Sequence, residues 1–321
     1  MTATDFRIPL GLWPALGNRV RSTPGVLSPL IVSADDPPAG LDAPPADLRP
    51  VLESLTAPRG MNSLSFILPE DIFDIAVYYA DKTLDHAIAL SNEIDTVRVQ
   101  SAAPIDEILT VVQMQLGAAQ AQGSPIAFDL SPLQAWTWFA CIDLLREGSD
   151  PVIQAGAVHE AMGRPFAMFQ DLAAYFRHSL DLPLPGLDEV GSALTDLAGM
   201  GWVGSSPQGF IPAAPIRDQA REFNDMRAHL FVKTFVLLQN GSIASLYNRI
   251  LQGGTGQCLW WYRNGDRVFL QSITTRQAVA VLEKLLKEPF SLFDYLEHFV
   301  PVPPEKLKAD QCRPRPPERL K

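Results

Sequence analysis

Ten prolines fall between Pro9 and Pro58, with doublets at Pro37-Pro38 and Pro44-Pro45. Each ring locks φ and removes an amide donor, so no long helix can run through this stretch. The expectation is an extended arm over residues 1–58. Phe6, Ile8, Leu10, Leu12, Trp13, Leu27, Leu30 and Ile31 give that arm apolar anchors which a disordered linker does not need, so it is expected to wrap over the body of the protein.

The body divides by pattern. Between 59 and 117, alternating and β-branched runs at Ser63–Leu68, Phe73–Tyr79, His86–Leu90 and Thr96–Ser101 predict four strands. An amphipathic helix follows from Pro104 to Leu116, with Ile105, Ile108, Leu109, Val112 and Leu116 on one face. Between 126 and 222 the pattern is helical: Ser131 can cap a helix starting at Pro132, and further helices are expected at Val152–Met162, Pro165–Leu180 and Gly186–Met200. Two short apolar pieces then surround a Gly/Ser/Pro turn near Pro207-Gln208, with Trp202 and Phe210 expected to pack back on a stripe of Leu194, Leu197 and Met200. Three helices and a small hairpin make a winged-helix-like outline. Strands return between 228 and 300, at His229–Leu238, Ile243–Leu251, Gln257–Tyr262 and Arg267–Ser272, followed by a helix over Thr275–Lys287. Asn240-Gly241 and Asn264-Gly265 mark hairpin turns, since both residue types tolerate positive φ. A tail rich in Pro, Lys and Arg, residues 301–321, is expected to fray.

The two β-rich stretches share an order of elements, four strands and then a helix. Val97-Arg98-Val99-Gln100-Ser101 parallels Val268-Phe269-Leu270-Gln271-Ser272, and Ile105, Ile108, Leu109 and Val112 parallel Ala278, Val281, Leu282 and Leu285. The second alignment is offset from the first by two residues, which places an insertion at one strand-to-helix turn. The expected fold is α+β: two repeated antiparallel sheet-plus-helix halves related by a pseudo-two-fold, with a helical winged-helix-like insert. In architecture alone this resembles the chaperones of ESX-type secretion, which are built on a quasi-two-fold sheet with helical additions. No motif matches that family residue by residue.

Chemistry is hard to find. The five histidines stand on different elements, and His159-Glu160 lacks the second imidazole of a zinc helix, so no metal is expected. Cys141, Cys258 and Cys312 are too few and scattered for a disulfide framework and read as ordinary thiols of a reducing compartment. Neither Gly204-Ser205-Ser206 nor Gly241-Ser242-Ile243 has the flanking glycines of a nucleophile elbow. Gly253-Gly254-Thr255-Gly256 lacks the Lys-Ser/Thr of a phosphate loop and reads as a turn. The acid pairs Glu70-Asp71 and Asp188-Glu189 read as capped helix starts or solvated faces. No catalytic residue, cofactor or metal ligand is therefore assigned.

A net charge of −10 disfavours nucleic acid as a partner, because binding a phosphate backbone depends on clustered Lys and Arg. The third helix of the winged-helix outline adds to this: between Gly186 and Pro212 stand Asp188, Glu189 and Asp196 and no Lys or Arg. Residues 1–16 lack the basic and apolar regions of a signal peptide, and no stretch is long and apolar enough for a membrane span, so a cytoplasmic protein is expected.

One strand invites a functional reading. Trp260-Trp261-Tyr262 puts large aromatics on both sheet faces, so one face can fill a core while the other looks outward. These three are the candidate protein-binding residues, with Trp261 expected outward beside Leu259 and Arg263. A strand buried on both faces is the competing reading. The expected function is a non-enzymatic cytoplasmic adaptor or chaperone for a protein partner in a secretion or multiprotein system. The alternative is a winged-helix transcriptional regulator or other DNA-associated protein.

Overall fold

The computed structural model describes residues 5–13, 16, 24–30, 48–69, 72–81, 87–93, 95–101, 104–117, 126–148, 152–165, 171–294 and 300–302. In chain order the elements are β1 (Asp5–Pro9), α1 (Leu48–Thr56), β2 (Gly60–Ile67), β3 (Ile72–Tyr79), β4 (Ala87–Asn92), β5 (Thr96–Gln100) and α2 (Pro104–Leu116). Next come β6 (Ala127–Leu130), α3 (Pro132–Arg146), α4 (Ala155–Gly163), α5 (Leu172–Leu180), α6 (Leu187–Gly199), β7 (Val203–Ser206), β8 (Gly209–Pro212) and α7 (Ala214–Glu222). The remainder are β9 (Ala228–Leu237), β10 (Ile243–Gln252), β11 (Cys258–Asn264), β12 (Arg267–Ile273), α8 (Thr275–Lys287) and β13 (Val300–Val302). The fold is mixed α and β, with a large antiparallel sheet. Two compact units are distinguished: Met1–Gly117 with His229–Arg249 and Arg276–Lys321, and Ala118–Ala228 with Ile250–Thr275.

In the first unit the strands lie in the order β1-β5-β4-β3-β2-β9-β10. β2 pairs antiparallel with β3 from Gly60 opposite Tyr79 to Ile67 opposite Ile72, and with β9 from Gly60 opposite Val236 to Ile67 opposite His229. Alternation sorts the side chains. Met61, Tyr78, Ile88, Leu90, Val97, Val99 and Phe235 form a core with Val51, Leu52 and Leu55 of α1 and with Ile8, Trp13, Leu16, Leu27 and Leu30. The described parts of the N-terminal region thus pack on the sheet, but they are not simply extended. Leu48–Thr56 is helical because Pro50 sits in the first turn, where a missing N–H costs no intrahelical bond, and Asp5–Pro9 is a strand along β5. That edge strand is pinned by charge: Arg98 pairs with Asp5 at 2.7 Å and Arg7 with Glu93 at 2.8 Å.

Residues one position along point to the opposite sheet face and hold α8. Asn62 Nδ2 donates to the Leu285 carbonyl at 2.9 Å, and the Tyr79 hydroxyl donates to that of Leu286 at 2.7 Å. Both acceptors belong to the last turn of α8, whose carbonyls have no partner within the helix. Gly60 makes room nearby, since a Cβ there would lie 3.0 Å from the ring of Phe290.

In the second unit β11, β12 and β6 are neighbours, and β7 and β8 form a separate hairpin. α3 is buried nearly all round, as a helix apolar on every face must be, and forms the hub of a core with Val158, Phe176, Leu194, Leu197, Leu259 and Trp261. Its start is a full capping box: Gln134 N donates to Ser131 Oγ at 3.2 Å, and Ser131 N to Gln134 Oε1 at 2.9 Å. β6 lies in a stretch whose sequence reads as helical apart from the small hairpin, because four residues are too few to display a period. The helices expected at Val152–Met162 and Pro165–Leu180 are Ala155–Gly163 and Leu172–Leu180 instead, with 166–170 outside the described residues. Trp202 packs on Phe128 of β6 at 4.2 Å between ring centroids. Leu194 and Leu197 join the core as expected, whereas Met200, at the helix end, is 48% exposed.

The hairpin turns use glycine alone for positive φ, at Gly241 (82°) and Gly265 (60°). Asn240 and Asn264 do not take up the positive φ that their residue type tolerates.

Candidate functional site

The positive φ at Gly265 lets β11 fold back directly onto β12, and the register follows from that turn. Asn264 faces Arg267, Tyr262 faces Phe269, Trp261 faces Leu270 and Trp260 faces Gln271. β12 in turn sets Phe269 opposite Asp129 and Gln271 opposite Ala127 of β6. Because side chains alternate, one face of this three-stranded patch carries Trp260, Tyr262, Phe269, Gln271 and Asp129, and the other carries Leu259, Trp261, Val268 and Leu270.

The second face is core. Trp261 is 0% exposed, 5.0 Å from the ring of Phe176 and 6.2 Å from that of Phe139. The expectation that Trp261 points outward is therefore corrected. Its same-face neighbours across the hairpin, Leu270 and Val268, are aliphatic and buried, and this cross-strand row outweighs the mixed along-strand row that includes Arg263. Arg263 turns back at the strand end, where Nε donates to the Gly265 carbonyl.

The first face is a half-buried aromatic row. Trp260 stacks on Tyr262 at 4.8 Å and 28° between planes, and Tyr262 on Phe269 at 4.9 Å and 13°. Polar groups border it: Gln271 is exposed, and Arg267 Nε pairs with Asp129 Oδ1 at 2.7 Å. Burial and the nearby Asp129 carboxylate both push the Tyr262 phenol above its ordinary value, so the row is neutral in the physiological range. Phe269 is absent from the binding residues expected from the sequence. Gly265 is the signal that places it, since a two-residue Gly265-Asp266 loop between Asn264 and Arg267 puts Phe269 opposite Tyr262.

Elsewhere the reactive side chains are engaged or inert. Burial pushes the thiols of Cys141 and Cys258 up to about 12, which leaves them protonated and unreactive; Cys312 lies outside the described residues. The glycine loop after β10 holds a carboxylate of its own chain. Thr255 donates to Glu222 Oε1 through N at 3.1 Å and through Oγ1 at 2.7 Å, and Gly254 N donates to the Glu222 carbonyl at 2.9 Å. A Cβ on Gly253 would lie 2.2 Å from Glu222 Cγ, so this contact accounts for the glycine. Asp143 accepts from Leu172 N and Ala173 N at 3.0 and 2.7 Å, capping α5, and Glu189 Oε2 accepts from Gly186 N to start α6. Glu70 and Asp71 lie outside the described residues, as do His86 and His298. His159 Nε2 is 3.1 Å from the Pro185 carbonyl, and among the described residues no group of His, Cys, Asp and Glu could hold a metal ion. Among them, too, no helix is long and apolar enough to cross a membrane.

Comparison with known proteins finds no family model that matches the chain and no curated protein that matches it.

Proposed function

We propose that this chain is a non-enzymatic cytoplasmic adaptor or chaperone that binds a protein partner through the aromatic row of Trp260, Tyr262 and Phe269. The observation that carries the reading is the row itself: three stacked rings, half-buried and polar-rimmed, on a sheet face opposite a well-packed core. Large aromatics with a polar border are what interface anchors are made of, and a central one contributes about 2 kcal/mol or more to binding. The neutral row and the chain's charge of −10 favour a protein surface over nucleic acid.

The pseudo-two-fold belongs to the same proposal. β3 and β10, β4 and β11, β5 and β12, and α2 and α8 each begin 171 residues apart (243 − 72, 258 − 87, 267 − 96 and 275 − 104). β2 and β9, which pair with each other, are spaced differently (228 − 60). The buried faces of the helices correspond two residues further on, Ile105 with Ala278 and Val112 with Leu285, although the helices start at the same offset as the strands. Duplication of an ancestral four-strand-plus-helix unit accounts for this spacing.

A winged-helix regulator is the second reading, and one observation favours it. Ile153 bridges Phe210, with N–H to carbonyl distances of 2.7 and 2.8 Å, adding a third short strand to the β7–β8 hairpin that follows α6. The exposed face of α6 argues against DNA as its target, since Asp188, Glu189 and Asp196 would meet the phosphates. A winged helix used for protein contact fits both facts.

The test compares Trp260→Ser/Tyr262→Ser with the parent chain in affinity capture and in a salt-dependent DNA shift. A partner retained by the parent and lost by the variant supports the proposal. Equal capture by both, or salt-sensitive DNA binding, replaces it.

A further inference from the structure

We propose that Asn240 is a site of spontaneous deamidation, primed by Ser242. The β9–β10 connection is a tight turn in which Leu238 N donates to the Ser242 carbonyl at 2.8 Å and Gly241 N to the Leu238 carbonyl at 3.1 Å. Asn240 and Gly241 are exposed, and a Cβ built on Gly241 would meet no atom within 4 Å, so the turn has room to open the Gly241 N–H bond to the Leu238 carbonyl and free that nitrogen for attack. Two donors converge on the Asn240 side-chain oxygen: Ser242 Oγ at 2.6 Å and Ser242 N at 3.0 Å.

The chemistry follows from that placement. After losing its proton to solvent base, Gly241 N attacks Asn240 Cγ, forming an N–C bond and putting negative charge on Oδ1. The Ser242 hydroxyl and amide already point at this oxygen and stabilise the oxyanion as it forms. The Cγ–Nδ2 bond then breaks and ammonia leaves with a proton from solvent, giving a cyclic imide. Water adds across either imide C–N bond, giving aspartate or isoaspartate. No oxidant or reductant takes part, and the co-reactant is water. The product carries one more negative charge than the parent, and the isoaspartate form inserts one extra carbon into the backbone at the turn joining β9 and β10.

The chain holds its own control. Asn264-Gly265 is the other Asn-Gly pair in a hairpin turn, also with a positive φ at glycine. Asn264 is only half-exposed, however, and among the described residues no hydrogen-bond donor reaches its Oδ1.

The experiment incubates the intact, folded protein at mildly alkaline pH and physiological temperature, and follows conversion at each Asn by peptide mapping that separates aspartate from isoaspartate. Asn240 is expected to convert at least about fivefold faster than Asn264, the ratio equivalent to one hydrogen bond of about 1 kcal/mol in the transition state. Ser242→Ala should slow Asn240 by a similar factor, and Ser242→Thr, which keeps the hydroxyl, should restore it. Equal rates at the two sites in the parent protein overturn the proposal whatever the variants do, as does an unchanged rate in a folded Ser242→Ala protein.

Discussion

Trp260 and Trp261 are adjacent in sequence, and replacing each should have opposite consequences. Trp261 is fully buried between Phe176 and Phe139. A tryptophan that buries about 150–250 Å² contributes about 4–6 kcal/mol at 25 cal/mol per Å², and large-to-small core changes of this kind are measured at about 3–5 kcal/mol. Trp261→Ala should therefore remove a large part of a domain's stability of about 5–15 kcal/mol. Trp260 is half-buried and stacks on Tyr262 on the outer face, so Trp260→Ala should cost about 1–2 kcal/mol. Urea titration monitored by circular dichroism reads both values, with partner capture measured on the same samples. The expected pattern is a large fall in midpoint for Trp261→Ala, and near-parental folding with weakened capture for Trp260→Ala. If Trp260→Ala is the more destabilising of the two, the strand faces the other way and the outer row is not the binding surface.

Other consequences are as direct. Tyr79→Phe leaves the Leu286 carbonyl without its buried donor and should lower stability by about 1–3 kcal/mol, visible as earlier thermal melting; an unchanged melt would mean that α8 is not anchored there. Gly253→Ala drives a Cβ into Glu222 and should destabilise by at least about 2 kcal/mol, with Glu222→Ala relieving part of the loss in the double variant. Burial pushes the Asp143 carboxyl from 3.8 to about 6, outweighing the Leu172 and Ala173 amides and the nearby Arg146 that favour its charged form. The folded chain then holds this proton more tightly than the unfolded one, so the contribution, roughly 3 kcal/mol, is fully present below 3.8 and is lost as pH rises through about 6. Asp143→Asn should flatten that part of the stability-against-pH curve, and an unaltered slope would assign it to other groups.

Element types were legible where the local pattern is strong. The Ser131-to-Gln134 capping box, the alternation of Thr96–Gln100 and the glycine turns at 241 and 265 each state their structure within a few residues, because capping, pleat period and positive φ are local requirements. Short pieces escaped. β6 and β1 become strands only because β12 and β5 offer them an edge, and nothing within four or five residues announces that pairing. Likewise Pro50 does not prevent Leu48–Thr56 from forming a helix, since the ban on proline spares the first turn.

By itself, then, the sequence determined that Trp260, Trp261 and Tyr262 lie on a strand and divide between two faces, since alternation is a property of the backbone. Which face is inward was decided by the tertiary structure. α3 and α5 bring Phe139 and Phe176 against one side only, and the β12 register lines up Val268 and Leu270 behind Trp261 and Phe269 beside Tyr262. Residues distant along the chain set that choice through burial, a non-local quantity that no window of sequence contains. The same holds for Glu222 and Gly253: the glycine marks a turn in the sequence, but only the folded chain shows the carboxylate that requires it.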